Sequence, residues 1–223
     1  CVDSETTNIH PAPALCNLVS LTHLYIRANK LASLPASLSS LRNLLILDAS
    51  SHLPAVGRDA RAEFATAHIP GARFLDLGGL TDTVSPVPNA LPTADQVARR
   101  LADLGYNSGD RLVIYDDSDV KTSARAWFML RRVGVHSAIL DGGMGKWRAE
   151  GCELEAGEKA STTTNSKSLQ TTDRDVRTRN QMLANIITCA EQVIDARDAG
   201  RFTGATVDTV HNLPGGHIPG ARN

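Results

Sequence analysis

An α/β fold in two tandem units, each a parallel central sheet flanked by helices and the second incomplete, is predicted by three features of the 223-residue sequence. The hexapeptide His-Ile-Pro-Gly-Ala-Arg occurs twice without a change, at His68 to Arg73 and at His217 to Arg222. Each copy follows a short apolar run closed by an aspartate, Leu44 to Asp48 in the first case and Val193 to Asp195 in the second, at aspartate-to-histidine intervals of 20 and 22 residues. A motif repeated at a matched distance from a strand-like run marks an internal duplication. Between the two copies, short apolar runs alternate with segments of helical period. That alternation implies parallel strands joined by helical crossovers.

In chain order, residues 1–17 are polar and proline-containing, have no period, and are expected to form a disordered head. In the stretch 18–43, Leu18, Leu21, Leu24, Ile26, Asn29, Leu31, Leu34 and Leu38 follow leucine-rich-repeat spacing. Such repeats need about three copies to bury a core, and one is present. Two readings therefore stay open here: the strand and helix that open the first unit, or a single fused repeat.

The first unit is expected over 44–152. Leu44 to Asp48 is a continuous apolar run of the kind a strand buried on both faces requires. Thr93 with Gln96 makes a capping box before a helix whose Val97, Leu101 and Leu104 share one face and which Gly105 stops. Arg111 to Tyr115 reads as the next strand, Ser123 to Val133 as a helix ended by Gly134, and Ser137 to Leu140 as a further strand. Asp141-Gly142-Gly143 is a turn before a short helix carrying Trp147. Residues 153–173, rich in Glu, Lys, Ser, Thr and Asn, are expected to link the units. The second unit, 174–223, opens with a capping box at Thr178 and Gln181. The apolar face Met182, Leu183, Ile186 and Ile187 then leads to the strand at Val193.

Composition removes several functions. The formal net charge is -1 with no long single-sign run, which gives no support to a nucleic-acid surface or a polybasic membrane patch. No apolar run approaches the roughly 20 residues that span a bilayer. Cys1, Cys16, Cys152 and Cys189 are scattered, with no C-x-x-C, which argues against a zinc site or a dense disulfide framework. No metal and no cofactor is expected. Cys152 is read as a thiol at the edge of the linker and Cys189 as a buried helix residue, neither as a nucleophile. The chain begins with cysteine and stops one residue after the second hexapeptide, so it is expected to be a piece of a longer protein.

Taken together, Leu45 to Ser50, Arg58-Asp59-Ala60-Arg61, Phe64, Ala67 to Phe74, Leu91-Pro92, Val113 to Asp116, Ala124 to Trp127 and Leu140 to Gly143 with Trp147 resemble the tandem rhodanese-like sulfurtransferases of the mercaptopyruvate and thiosulfate type. The resemblance covers residues 44–223 and implies a persulfide mechanism. A loop of converging backbone N–H groups stabilises a cysteine thiolate, which takes sulfur from an anionic donor and passes it to a thiol, such as that of thioredoxin, or to cyanide. It also implies a cytoplasmic or mitochondrial setting, with no nucleic acid or membrane as partner.

The resemblance assigns roles residue by residue. The loop Asp116 to Ala124 corresponds to the catalytic loop and holds no cysteine, so the first unit resembles the non-catalytic half and the nucleophile is expected to be absent from the chain. Arg201, in Ala199-Gly200-Arg201-Phe202, matches the arginine that binds the donor. A second arginine usual in the family is replaced by Val210. His68 with Asp59 is the pair matching a proton relay, against the alternative that His68 only bonds its own turn ahead of Pro70. A non-catalytic module in which the first unit and the leucine-rich head bind a protein is the competing reading. A phosphatase of related fold is set aside, because no Cys-x5-Arg loop is present.

Overall fold

The structure, a computed structural model, describes residues 44–158, 163–165, 168–172, 174–208 and 213–223. The expected head, the leucine-rich stretch, Cys1, Cys16 and Val210 lie outside the described residues. The chain divides after Thr172 into two compact units.

The first unit is built on four parallel strands in the order β2-β1-β3-β4, with β1 at Leu44–Asp48, β2 at Arg73–Phe74, β3 at Arg111–Tyr115 and β4 at Ser137–Ile139. Register is in step across the centre: Leu45 faces Leu112, Leu47 faces Ile114 and Asp48 faces Tyr115. Side chains alternate across a pleated strand, so each strand feeds two cores. Leu45, Leu47, Leu112 and Ile114 point to one face, where Val97 and Leu101 of α2 (Ala94–Asp103) and Ala126, Met129 and Leu130 of α3 (Ser123–Arg132) cover them. Ile46 and Tyr115 point to the other, against Phe64 of α1 (Ala60–Thr66) and Met144 and Trp147 of α4 (Gly143–Ala149). Full burial of each such side chain is worth about 1.5–3 kcal/mol. An unbroken apolar run is thus what a two-faced strand needs.

The helices begin where the chain supplies acceptors. Thr93 and Gln96 form the expected reciprocal capping box of α2. The carboxylate of Asp59 accepts from Arg61 N and Ala62 N at the start of α1. Described residues of the stretch 153–172 bond to the first unit. Trp147 Nε1 donates to Glu153 O at 2.9 Å, Gly157 N to Ala65 O at 2.8 Å, Thr164 Oγ1 to Tyr106 O at 2.7 Å and Thr172 N to Arg132 O at 2.8 Å, while Leu169 packs on the core.

The second unit contains α5 (Arg179–Thr188), capped by Thr178 and Gln181 as expected, and α6 (Ala199–Thr203), capped by Asp198. The segment at Val193 makes a parallel bridge, Ile194 with Arg222. Among the described residues of this unit no apolar side chain is buried, and Ile187 and Ile194 are 86% and 72% exposed. Cys189, expected to be a buried helix residue, is exposed instead and ends α5 in a left-handed conformation, φ 50°. The apolar side chains of α5 are themselves half-buried or exposed.

Candidate functional site

Open parallel sheets place ligands in the crevice beyond the carboxyl ends of their strands. In the first unit that crevice lies past Asp48 and Tyr115, under the loop Asp116 to Thr122, and the protein fills it with its own groups. Asp116 is buried. Its Oδ2 accepts from Ser123 N, the first residue of α3, at 2.6 Å, which puts a carboxylate at a helix N-terminus. Its carbonyl accepts from Met144 N at 3.0 Å, and a Cβ on Gly143, where φ is +53°, would stand 2.5 Å from that oxygen. Thr122 Oγ1 lies 2.7 Å from Ala49 O, and a carbonyl only accepts, so Thr122 is the donor. Ser118 Oγ, 2.8 Å away, must then donate to Thr122 while accepting from Ser51 N at 2.9 Å. These hydroxyls have no hydrogen left for a ligand.

At the rim sits an ion-pair cluster that sequence reasoning missed. Arg58 grips Glu63 through Nε and Nη2 at 2.7 and 2.8 Å and reaches Asp117 Oδ2 at 3.2 Å. Arg148 Nη1 binds the same oxygen at 2.7 Å, and His52 Nε2 lies 3.0 Å from Glu63. The hydrogen bonds from Arg58 hold the Glu63 carboxyl below its ordinary range. Asp117 and Arg148 are 31 positions apart, and no local spacing announces their pairing.

His68 and Asp59 engage different partners. His68 is 1% exposed, its Nδ1 donates to Phe64 O at 2.8 Å, and its ring stacks on Phe64 with centroids 4.1 Å apart. Its Nε2 stands 3.9 Å from Glu155, whose carboxylate accepts from Gly71 N. Asp59 spends its carboxylate on the cap of α1.

The second hexapeptide repeats this geometry. His217 Nδ1 donates to Phe202 O at 2.8 Å and stacks on Phe202 at 3.9 Å. Ala221 N to Ile218 O matches Ala72 N to Ile69 O, both 2.9 Å, and the bridge Ile194 to Arg222 matches Leu47 to Arg73. Arg201 lies on α6 between the aspartate cap and the stacked phenylalanine. Its half-buried guanidinium donates through Nε to Asp198 and through Nη1 to Asp208 at 3.3 Å. The hydrogen bond to Asp198, more than any other influence, raises its already high pKa, and the Asp198 carboxyl is held low in turn. Arg201 is therefore a permanent cation already bracketed by two carboxylates. An incoming anion must compete with them.

A groove of about 570 Å³ in the second unit is lined by Met182, Leu183, Ile186, Arg197, Gly216 and Ile218, among others, and Arg201 is not part of it. Among the described residues no cluster of His, Cys, Asp and Glu suits a metal ion, and no helix is long and apolar enough to cross a membrane.

A profile of the rhodanese-like domain matches residues 35–150, just over half the sequence and most of the described first unit. The chain belongs to the rhodanese-like domain family. This family member is 39% identical to the 3-mercaptopyruvate sulfurtransferase of Mus musculus over 187 residues, 82% of this chain and 63% of the mouse protein. It is 36% identical to the thiosulfate sulfurtransferase of Gallus gallus over 185 residues, 81% of this chain and 62% of the other. The crystal structure of SseA from Escherichia coli, a 3-mercaptopyruvate sulfotransferase with the rhodanese fold, superposes with a TM-score of 0.71 at 35% identity, over 81% of this chain and 68% of that one. The chain thus spans a little under two thirds of the length of the curated relatives it matches.

Proposed function

We propose that this chain is part of a tandem-domain sulfurtransferase that moves sulfane sulfur from 3-mercaptopyruvate or thiosulfate to a thiol or cyanide through a cysteine persulfide. The observation that carries the reading is the similarity to the mouse sulfurtransferase, which extends over 82% of the chain. The matching geometry of the two hexapeptides supports reading 44–152 as a first rhodanese-like domain and 174–223 as the opening of a second. The first is the non-catalytic half: Asp116 stands in the loop past β3, and a carboxylate cannot carry persulfide sulfur. In the second, Arg201 binds the donor's anionic end, displacing Asp198 or Asp208, because a planar guanidinium offers paired donors that match a carboxylate or thiosulfate. The bonds of His68 and Asp59 favour structural parts for both over a proton relay.

No cysteine lies in the loop past β3, and among the described residues the exposed Cys189 thiol has Ile186 O as its partner, 3.8 Å from its Sγ. The 223-residue chain is therefore expected to release no thiocyanate from 3-mercaptopyruvate or thiosulfate with cyanide, and to bind 3-mercaptopyruvate through Arg201. Calorimetric titration of the chain and of Arg201→Ala measures the second point. Turnover by the chain would overturn the assignment of the carrier thiol, and equal affinity in Arg201→Ala the assignment of the donor site.

A further inference from the structure

Two consecutive carbonyls of α6 are claimed by two consecutive residues of the returning chain: Gly216 N donates to Arg201 O at 2.8 Å and His217 Nδ1 to Phe202 O at 2.8 Å. Gly216 is held through its carbonyl as well. Arg197 Nη2 donates to Gly216 O at 2.6 Å and to Asp195 Oδ2 at 2.6 Å, while its Nε binds Asp195 Oδ1 at 2.9 Å. The approach is close enough to demand glycine. A Cβ on Gly215 would stand 2.4 Å from Thr206 O and 2.7 Å from Gly204 Cα, and Gly216 has φ +119°.

We propose that Arg197 is a positioning residue for Arg201. Its guanidinium ties the strand end at Asp195 to the Gly216 carbonyl, and the Gly216 N–H, one residue's backbone away, holds the carbonyl of Arg201 and so the backbone from which that side chain reaches its anion. In this role Arg197 acts through the backbone, with its Nε and Nη2 engaged by Asp195 and by Gly216 O. A lysine keeps the charge but lacks the planar fork that spans both acceptors. The proposal rests on the reading of Arg201 as the donor-binding cation.

The test is NMR of the full chain with thiosulfate as probe, following the Arg201 Nε–H and the exchange of the Gly216 amide. In Arg197→Lys the Gly216 amide is expected to exchange roughly tenfold faster and thiosulfate affinity to fall about tenfold, as loss of a hydrogen bond to a charged group does. Wild-type affinity in Arg197→Lys overturns the proposal, whether or not Gly216 exchange changes, because the residue would then be structural only. Should Arg197→Lys lose the ring-shifted resonances of the Phe202–His217 stack, Asp195→Asn replaces it. That variant weakens the grip on Arg197 while leaving Gly216 O in place, and unchanged thiosulfate affinity there overturns the proposal too. If thiosulfate leaves Arg201 Nε–H unmoved in the wild type, it is the donor reading that falls, an outcome Gly216 exchange does not mimic.

Discussion

Asp48 closes β1 with its carboxylate 4% exposed, accepting from Ser50 N at 2.8 Å and from the Tyr115 hydroxyl, which itself accepts from Ile69 N at 3.3 Å. Burial outweighs those hydrogen bonds and raises the Asp48 pKa above 3.8. Burial and the neighbouring Asp48 raise that of Tyr115 as well. A carboxyl whose folded value lies above its unfolded one binds its proton more tightly in the native state. Its contribution to stability is therefore fully present below about 3.8 and is lost as pH rises through the folded value. Urea unfolding of the wild type and of Asp48→Asn across pH 3 to 7 is expected to show the variant gaining relative to the wild type as pH rises. A difference between the two that does not change with pH would remove Asp48 as the source. Asp195 has the opposite sign: the Arg197 fork holds it down at about 2, so its ion pair weakens only as pH falls toward that value. The two aspartates were legible as a repeated strand ending. Their different environments were not, because a serine follows two residues after one and an arginine two residues after the other.

Secondary structure elements were the most legible level, since each is specified by neighbours in sequence. The capping boxes at Thr93 and Thr178 are local side-chain-to-backbone bonds and appear where the spacing put them. Thr93→Ala is expected to cost about 1 kcal/mol in urea unfolding of the first unit. No loss would mean that α2 is held by its buried face alone. The role of the hexapeptide was harder to read. Its histidine is matched either to a proton relay or to a bond within its own turn, and in both copies Nδ1 holds a phenylalanine carbonyl while the ring lies on that phenylalanine. The partner lies 4 residues back in one copy and 15 in the other, so no fixed spacing reveals it. Phe64 is 3% exposed and packs against His68 and Phe74, and Phe64→Ala is expected to cost about 3–5 kcal/mol in the same assay. Phe202 is only half-buried, so the matching Phe202→Ala is expected to cost less. Equal costs would contradict the difference in burial.

At the scale of the whole molecule, one substructure occurs in two settings, and that comparison separates what the hexapeptide contributes from what its surroundings do. In the first unit Ile69 is 2% exposed and lies in a cluster with Ile46, Tyr115 and Trp147, whereas its counterpart Ile218 is 42% exposed. The histidine and turn hydrogen bonds recur in both copies, so they do not by themselves bury anything. Opening a segment costs the apolar contacts it breaks, and segments with few such contacts open at low free energy. Hydrogen exchange is therefore expected to show β1 and β3 protected to the level of global unfolding of the first unit, while the amides of Asp195, Gly216 and Arg222 exchange through local opening, faster by several orders of magnitude. A denaturant series distinguishes the two routes, since local opening is insensitive to low urea and global opening is not. Comparable protection in both units, falling together with urea, would show that the second draws on stabilisation its own described residues do not provide. Slow exchange confined to Gly216 would instead trace to the bonds of that residue, whose N–H donates to Arg201 O and whose carbonyl accepts from Arg197.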